Sequence, residues 1–213
     1  DGRWRKSNRR VSSIATFRKA LFQDNPADVY FSTSSWLNPI DLPKLSDENK
    51  SHPILLNHLI VFDIDFSPFS LENLEQARIT TLKLHNWVEQ NYDYELISIS
   101  FSGSKGFHLF YNDLDRSLFS IENAKEREFA VKEERKKLLQ EVLLAGFKVD
   151  PRITADTRRI IRLPGSIHGK TGLLCHRISL ERLEKSIESW INDVPSHFAD
   201  LEIPKTAISQ DKE

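Results

Sequence analysis

The stretch that most constrains this chain is Val61-Phe62-Asp63-Ile64-Asp65, a short apolar segment closed by two acids. It continues the apolar runs Ile54-Leu55-Leu56 and Leu59-Ile60. A run of this kind predicts a buried strand that delivers carboxylates to its end. Side chains alternate faces along a strand, so Asp63 and Asp65 are expected on one side and Ile64 on the other. Two carboxylates on one face repel, and desolvating them unpaired is costly. A divalent cation removes that cost, and hard oxygen ligands suit magnesium or manganese. Two ordinary acids at a solvated strand end would look the same, so the pair needs further residues around it to carry meaning.

At 213 residues the chain can bury a substantial single core. No apolar run reaches membrane-span length and no signal-peptide pattern is present, so no membrane partner is expected. Cys175 is the only cysteine, which excludes an internal disulfide and a multi-cysteine zinc site. A zinc-free protein of the reducing cytoplasm is therefore expected. The net charge of -1 says little, but its distribution says more. Arg3, Arg5, Lys6, Arg9, Arg10, Arg18 and Lys19 load the N-terminus; Arg152, Arg158, Arg159, Arg162, Lys170 and Arg177 form a second basic set. Local basic faces on a neutral protein fit phosphate binding at one site. The absence of any Met marks the chain as an expected piece of a longer protein.

Residues 1–10 are expected to form a basic arm, 11–195 the folded core, and 196–213 a tail or linker to further domains. Helical spacing predicts a helix over 11–22, one opened by Ser70 as N-cap, one over 121–145 ended by Gly146, and a last one opened by Ser179. The last of these would carry Leu180, Leu183, Ile187, Trp190 and Ile191 on one side. Strands are expected at 29–32, 54–65, 96–101, 107–111, 160–163 and 173–178, with 41–53 a surface loop. Helices and strands mix without regular alternation, which favours α+β.

Three further stretches carry polar residues without a core role. In Ser102-Gly103-Ser104-Lys105-Gly106-Phe107-His108 the glycines let backbone N–H groups approach an anion, Lys105 adds charge, and His108 begins the returning strand. Asp150 follows Phe147-Lys148-Val149 and is a candidate third carboxylate, since two-metal chemistry draws acids from more than one element. In the segment from Arg162 to Gly172, Arg162, His168 and Lys170 could converge on the spread charge of a triphosphate.

These residues, with Val29-Tyr30-Phe31-Ser32-Thr33-Ser34, give the chain its resemblance to the archaeo-eukaryotic primase superfamily, in particular to the catalytic small subunit of archaeal DNA primase. The resemblance implies an αβ unit packed on an RRM-like antiparallel sheet, with the active site in the cleft between. It implies that Asp63, Asp65 and Asp150 are catalytic, metal-binding acids. It implies that Ser102, Lys105, His108, Arg162, His168 and Lys170 hold the incoming nucleotide. Position 104, often basic in the family, is Ser here, and 66–101 lacks the cysteine-bearing zinc element of chromosomal small subunits. That departure looks more like the stand-alone primase-polymerases of mobile elements. The implied activity is two-metal nucleotidyl transfer that makes and extends primers on single-stranded DNA from nucleoside triphosphates. A helicase or an accessory primase domain or subunit is an implied partner. The competing readings are a repair polymerase that extends but does not initiate and a non-catalytic nucleic-acid-binding subunit. The presence of all three acids argues against the last.

Overall fold

In the computed structural model, which describes residues 11–26, 28–39, 42–43, 51–197 and 202–206, the apolar run at 54–65 is divided between two sheets. The basic arm at 1–10, most of the loop at 41–53 and most of the tail at 196–213 lie outside the described residues. In chain order the elements are α1 (Ile14–Asp24), β1 (Tyr30–Ser32), β2 (Ser34–Trp36), β3 (Leu55–His58), β4 (Ile60–Asp65), α2 (Leu71–Asn91), β5 (Tyr94–Phe101) and β6 (Gly106–Asp113). There follow α3 (Ala124–Leu144), α4 (Pro151–Ala155), β7 (Ile160–Arg162), β8 (His176–Ile178) and α5 (Leu180–Glu184), with short 3-10 turns at Ser117–Ser120, Ile187–Ser189 and Ile191–Asp193.

The centre is a four-stranded antiparallel sheet in the order β4-β6-β5-β8. Phe62 and Ile64 of β4, with Phe107 and Leu109 of β6, face a core closed by Leu74, Ala77, Leu84 and Val88 of α2 and by Leu138 and Val142 of α3. Val61 and Phe110 point the other way and pack with Ile161 of β7, Phe31 of β1 and Ile153 of α4. The period of two therefore assigns one face of the sheet to α2 and the other to the β1-β7 ribbon and α4. This is the α+β architecture expected from the sequence, with a cleft between the antiparallel sheet and the smaller unit. Among the described residues no helix is long and apolar enough to cross a membrane.

Ser70 opens α2 as expected: its hydroxyl accepts from the Asn73 N–H at 3.1 Å. Ser70→Ala should cost about 1 kcal/mol, read as a fall of roughly 2–4 °C in melting temperature. An unchanged Tm would mean that packing alone holds this helix end.

Three local expectations need correction. The run at 54–65 is not one strand: β3 pairs with β2, an unanticipated strand, and the chain crosses to β4 where the Leu59 N–H donates to Thr33 O at 2.8 Å. The helix expected over 121–145 begins at Ala124 on an Asn123 cap, and its buried stripe includes Glu128 and Arg135 while Leu143 is exposed. The helix after Ser179 stops at Glu184, because the Ile187 N–H is taken by the Glu75 carboxylate of α2 at 2.9 Å. Asp150 caps α4, with Pro151 at the first helical position, where its missing N–H costs nothing.

Candidate active site

The Asp63 and Asp65 side chains leave the β4 backbone on the face opposite α2, as the alternation predicts. Across the β4–β6 ladder Asp63 is paired with His108 and Asp65 with Gly106. Gly106 has no substitute here, since a Cβ would lie 1.7 Å from Ile64 O. His108 is paired in turn with Ser100 of β5, and Ser100 with Arg177 of β8, so four polar residues cross the sheet in one row. Three of them carry buried atoms without a hydrogen-bond partner among the described residues: Asp63 Oδ1, His108 Nδ1 and Ser100 Oγ. His108 Nε2 lies 3.7 Å from Asp63 Oδ1, too far for a hydrogen bond.

Asp150 reaches the pair through α4. Its own N–H donates to Asp63 O at 2.9 Å, and the Thr154 hydroxyl donates to Val61 O at 2.8 Å, which docks the start of α4 on β4. Its carboxylate, however, is engaged by Arg152, accepting from the backbone N–H at 2.9 Å and from the guanidinium at 3.0 and 3.2 Å. Among the described residues no three acidic, histidine or cysteine side chains are gathered closely enough to close around one ion.

The electrostatics divide the three acids. Burial, and then the Asp150 charge, push Asp63 up to about 7 against the pull of Lys105 and Arg162. Burial and then Asp63 push Asp65 up to about 6. Burial also raises Asp150, but the Arg152 hydrogen bonds outweigh it and hold that carboxyl below its ordinary range.

The turn after β5 is held by the Ser102 hydroxyl, which accepts from the Ser104 and Gly106 N–H groups at 3.3 and 3.2 Å. Gly103, at φ +82°, lets the turn lie against His168 and Leu173 of the following loop. Lys105 Nζ donates to Ser67 Oγ at 3.0 Å and stands 4.0 Å from Asp65 Oδ2. His168 Nδ1 accepts from the backbone N–H groups of Lys170 and Thr171, both at 3.3 Å, which places the ring proton on Nε2. Burial, reinforced by Arg162, holds both His108 and His168 down at about 4 apart from the opposing acids, so both rings are neutral donors near pH 7. Lys170 is exposed near the crest of the loop.

Arg162 is placed differently from an open phosphate ligand. Its guanidinium donates to Asp28 and, at 2.6 Å, to the Tyr30 hydroxyl, and lies 4.8 Å over the Tyr30 ring. Asp28 also accepts from the Gly169 N–H at 2.8 Å, so it ties Arg162 to the loop. The sequence reading missed Asp28 as a site residue, and it placed Arg152 in the second basic set without marking it as the partner of Asp150. The only signal for each was its position, one acid directly before a strand and one base two residues after Asp150. Of the basic residues beside Asp150, Arg158 is bound inward to Glu128 and Arg159 to Asp156, so neither is a free grip on a nucleic-acid strand.

A family model described as DNA primase small subunit matches residues 62–180, a span that includes every candidate site residue named above from Asp63 to Lys170. The chain is 26% identical over 218 residues to the DNA primase small subunit PriS of Pyrobaculum arsenaticum, covering 84% of this chain and 68% of that relative. It is 27% identical over 223 residues to PriS of Archaeoglobus fulgidus, covering 76% of this chain and 64% of that one. Its fold is similar to a solved polymerase domain of Mycobacterium tuberculosis Ligase D in complex with DNA, at a TM-score of 0.50 and 14% identity, covering 81% of this chain and 58% of that chain. The chain thus spans about two thirds of these relatives, and within that span it belongs to the DNA primase small subunit family.

Proposed function

We propose that this chain is a template-directed nucleotidyltransferase that makes primers on single-stranded DNA and extends them. The reaction joins a 3′-hydroxyl to the α-phosphate of an incoming nucleoside triphosphate and releases pyrophosphate. The observation that carries this reading is a mutually repelling carboxylate pair, Asp63 half-buried and Asp65 exposed at the strand end, set beside a glycine-bearing turn and a loop rich in phosphate donors.

The pair fits a divalent cation on two grounds. Asp63 Oδ1 is buried without a partner, and both carboxyls hold a proton far more readily than ordinary acids. The donors are all carboxylate oxygens, which suits magnesium or manganese. Asp63 and Asp65 would hold the ion, and Asp150 is the proposed third ligand, exchanging its present partner Arg152 for the metal. When bound, such ions supply charge neutralisation at the phosphates and lower the pKa of the attacking hydroxyl.

The chain's own residues position the nucleotide. Ser102 fixes the turn by taking the Ser104 and Gly106 N–H groups, so that Lys105 faces an anion from its edge. His168 offers Nε2–H, Lys170 adds charge from the rim, and His108 is a neutral donor in the row with Asp63. Arg162 acts from behind, holding the loop through Asp28. Positioning and preorganised charge are the main sources of rate in such a site.

His168→Ala should raise the nucleotide KM about tenfold, the scale of one hydrogen bond to a charged group. Binding of a single-stranded oligonucleotide should stay unchanged, by anisotropy. A loss of oligonucleotide binding instead would move His168 to the nucleic-acid track. The function itself is tested by supplying single-stranded DNA and nucleotides with magnesium or manganese, with and without a preformed primer. Products without a primer support initiation; extension alone supports the repair-polymerase reading; no incorporation under any condition overturns the assignment.

A further inference from the structure

Beside the carboxylate row, on the same face of the sheet, lies a groove of about 380 Å³ that none of the proposed nucleotide contacts uses. Its floor is Phe110 with Phe31 of β1 stacked on it, ring centroids 6.0 Å apart at 30°. Leu163 and Pro164 form one wall, and Ile97 and Arg177 the rim. The groove sits on the far side of the row from the phosphate turn. Along β4 and β6 the Asp65–Gly106 pair leads to the turn, whereas the Val61–Phe110 pair leads to the groove. Two residues of strand separate Phe110 from His108, or about 6–7 Å.

Two features of the rim have no role in the core. The β5–β6 register shifts between Leu96 and Ser98, so Ile97 is the extra residue of a bulge and is 43% exposed. Bulges commonly re-aim side chains next to active sites. Arg177 ends the polar row, is exposed, and its guanidinium has no hydrogen-bond or ion-pair partner among the described residues. A largely apolar slot with an aromatic floor and one free cation at its mouth complements a planar, uncharged ring joined to an anion.

We propose that this groove is a subsite for one unstacked base of a single DNA strand, with Arg177 on the adjoining phosphate. The proposal rests on the nucleotidyltransferase reading and adds a place for the strand. Base stacking in such subsites tolerates any sequence, because every base has a π-face. The base of the incoming nucleotide is the competing occupant, and the nucleotide titration below separates the two.

The test is anisotropy of a labelled oligothymidylate on the whole 213-residue chain over a salt series, without nucleotide, paired with a nucleotide titration in manganese. Arg177→Gln should weaken oligonucleotide binding and reduce the slope of log K against log salt by about 0.7, the value of one phosphate contact on a single strand. Phe31→Leu should weaken binding about fivefold, the low end of the stacking range. Ile97→Asp should do the same and, being at an exposed position, keeps the test alive if the Phe31 variant fails to fold. Nucleotide affinity should be unchanged in all three. Wild-type oligonucleotide affinity and salt slope in Arg177→Gln and Ile97→Asp would overturn the subsite, as would a fall in nucleotide affinity instead. A wild-type chain that binds neither oligonucleotide nor nucleotide would overturn the underlying functional reading as well.

Discussion

Asp63→Ala should lower nucleotide incorporation roughly a thousandfold, the upper scale for losing one electrostatic anchor in a preorganised site, and should not lower stability. The carboxylate is half-buried, with its Oδ1 atom fully buried and orphaned beside two other acids, so the fold holds it at a cost. Its folded-state pKa is raised from 3.8 to about 7. A group raised in this way contributes its stability in full below about pH 4 and loses it as the pH rises through 7. The metal-free protein should therefore lose stability between about pH 4 and pH 7, and Asp63→Asn should flatten that slope, with a gain in Tm on the order of 5 °C at pH 8. Manganese should raise the melting temperature of the wild type at pH 8 and that of Asp63→Asn much less. Differential scanning calorimetry across pH, with and without manganese, reads all three. An Asp63 variant that melts lower in proportion to its lost activity would make the residue a structural one.

How far this was legible in the sequence depends on the range of the interaction. The alternation that sets Asp63 and Asp65 opposite Ile64 is a local rule, and it held because Phe62 and Ile64 meet α2 while Val61 meets the β1-β7 ribbon. The Ser70 cap and the left-handed Gly146 after α3 are local as well. The crossing at Leu59 was hidden because apolarity does not tell one strand from two that join different sheets. The buried stripe of α3 is hidden from pattern reading because two of its members, Glu128 and Arg135, are charged, and such reading places charges outside. Within the site the sequence named the residues but not their partners. Nothing near Arg162 in sequence points to Asp28, more than a hundred positions away, and Asp150 shows no sign that Arg152 will occupy it.

Glu128→Ala should be the most destabilising substitution among the polar residues discussed, costing about 3–5 kcal/mol, the usual loss when one partner of a buried charge cluster is removed. The Glu128 side chain is 3% exposed. It accepts from the Thr157 hydroxyl at 2.7 Å, from Arg158 Nε and Nη2 at 3.3 Å each, from Lys132 at 3.1 Å and from His52 at 2.6 Å. Burial alone would raise its pKa, but Arg158, Thr157 and Lys132 outweigh burial and hold the carboxyl down at about 2. Removing it strands the buried Thr157 hydroxyl and takes the shared acceptor from Arg158, Lys132 and His52. The damage should also reach the site, because Thr157 and Arg158 belong to the segment that joins α4, capped by Asp150, to β7, which carries Arg162. Hydrogen exchange should accordingly rise first between residues 150 and 162. The pH dependence runs opposite to that of Asp63. A carboxyl depressed from 4.5 to about 2 stabilises the fold in full above about pH 4.5, and that contribution fades as the pH falls toward 2. In urea denaturation the gap between wild type and Glu128→Ala should be widest at neutral pH and should narrow below pH 4. A gap that stays constant from pH 7 to pH 3 would mean that packing, not charge, is what Glu128 contributes.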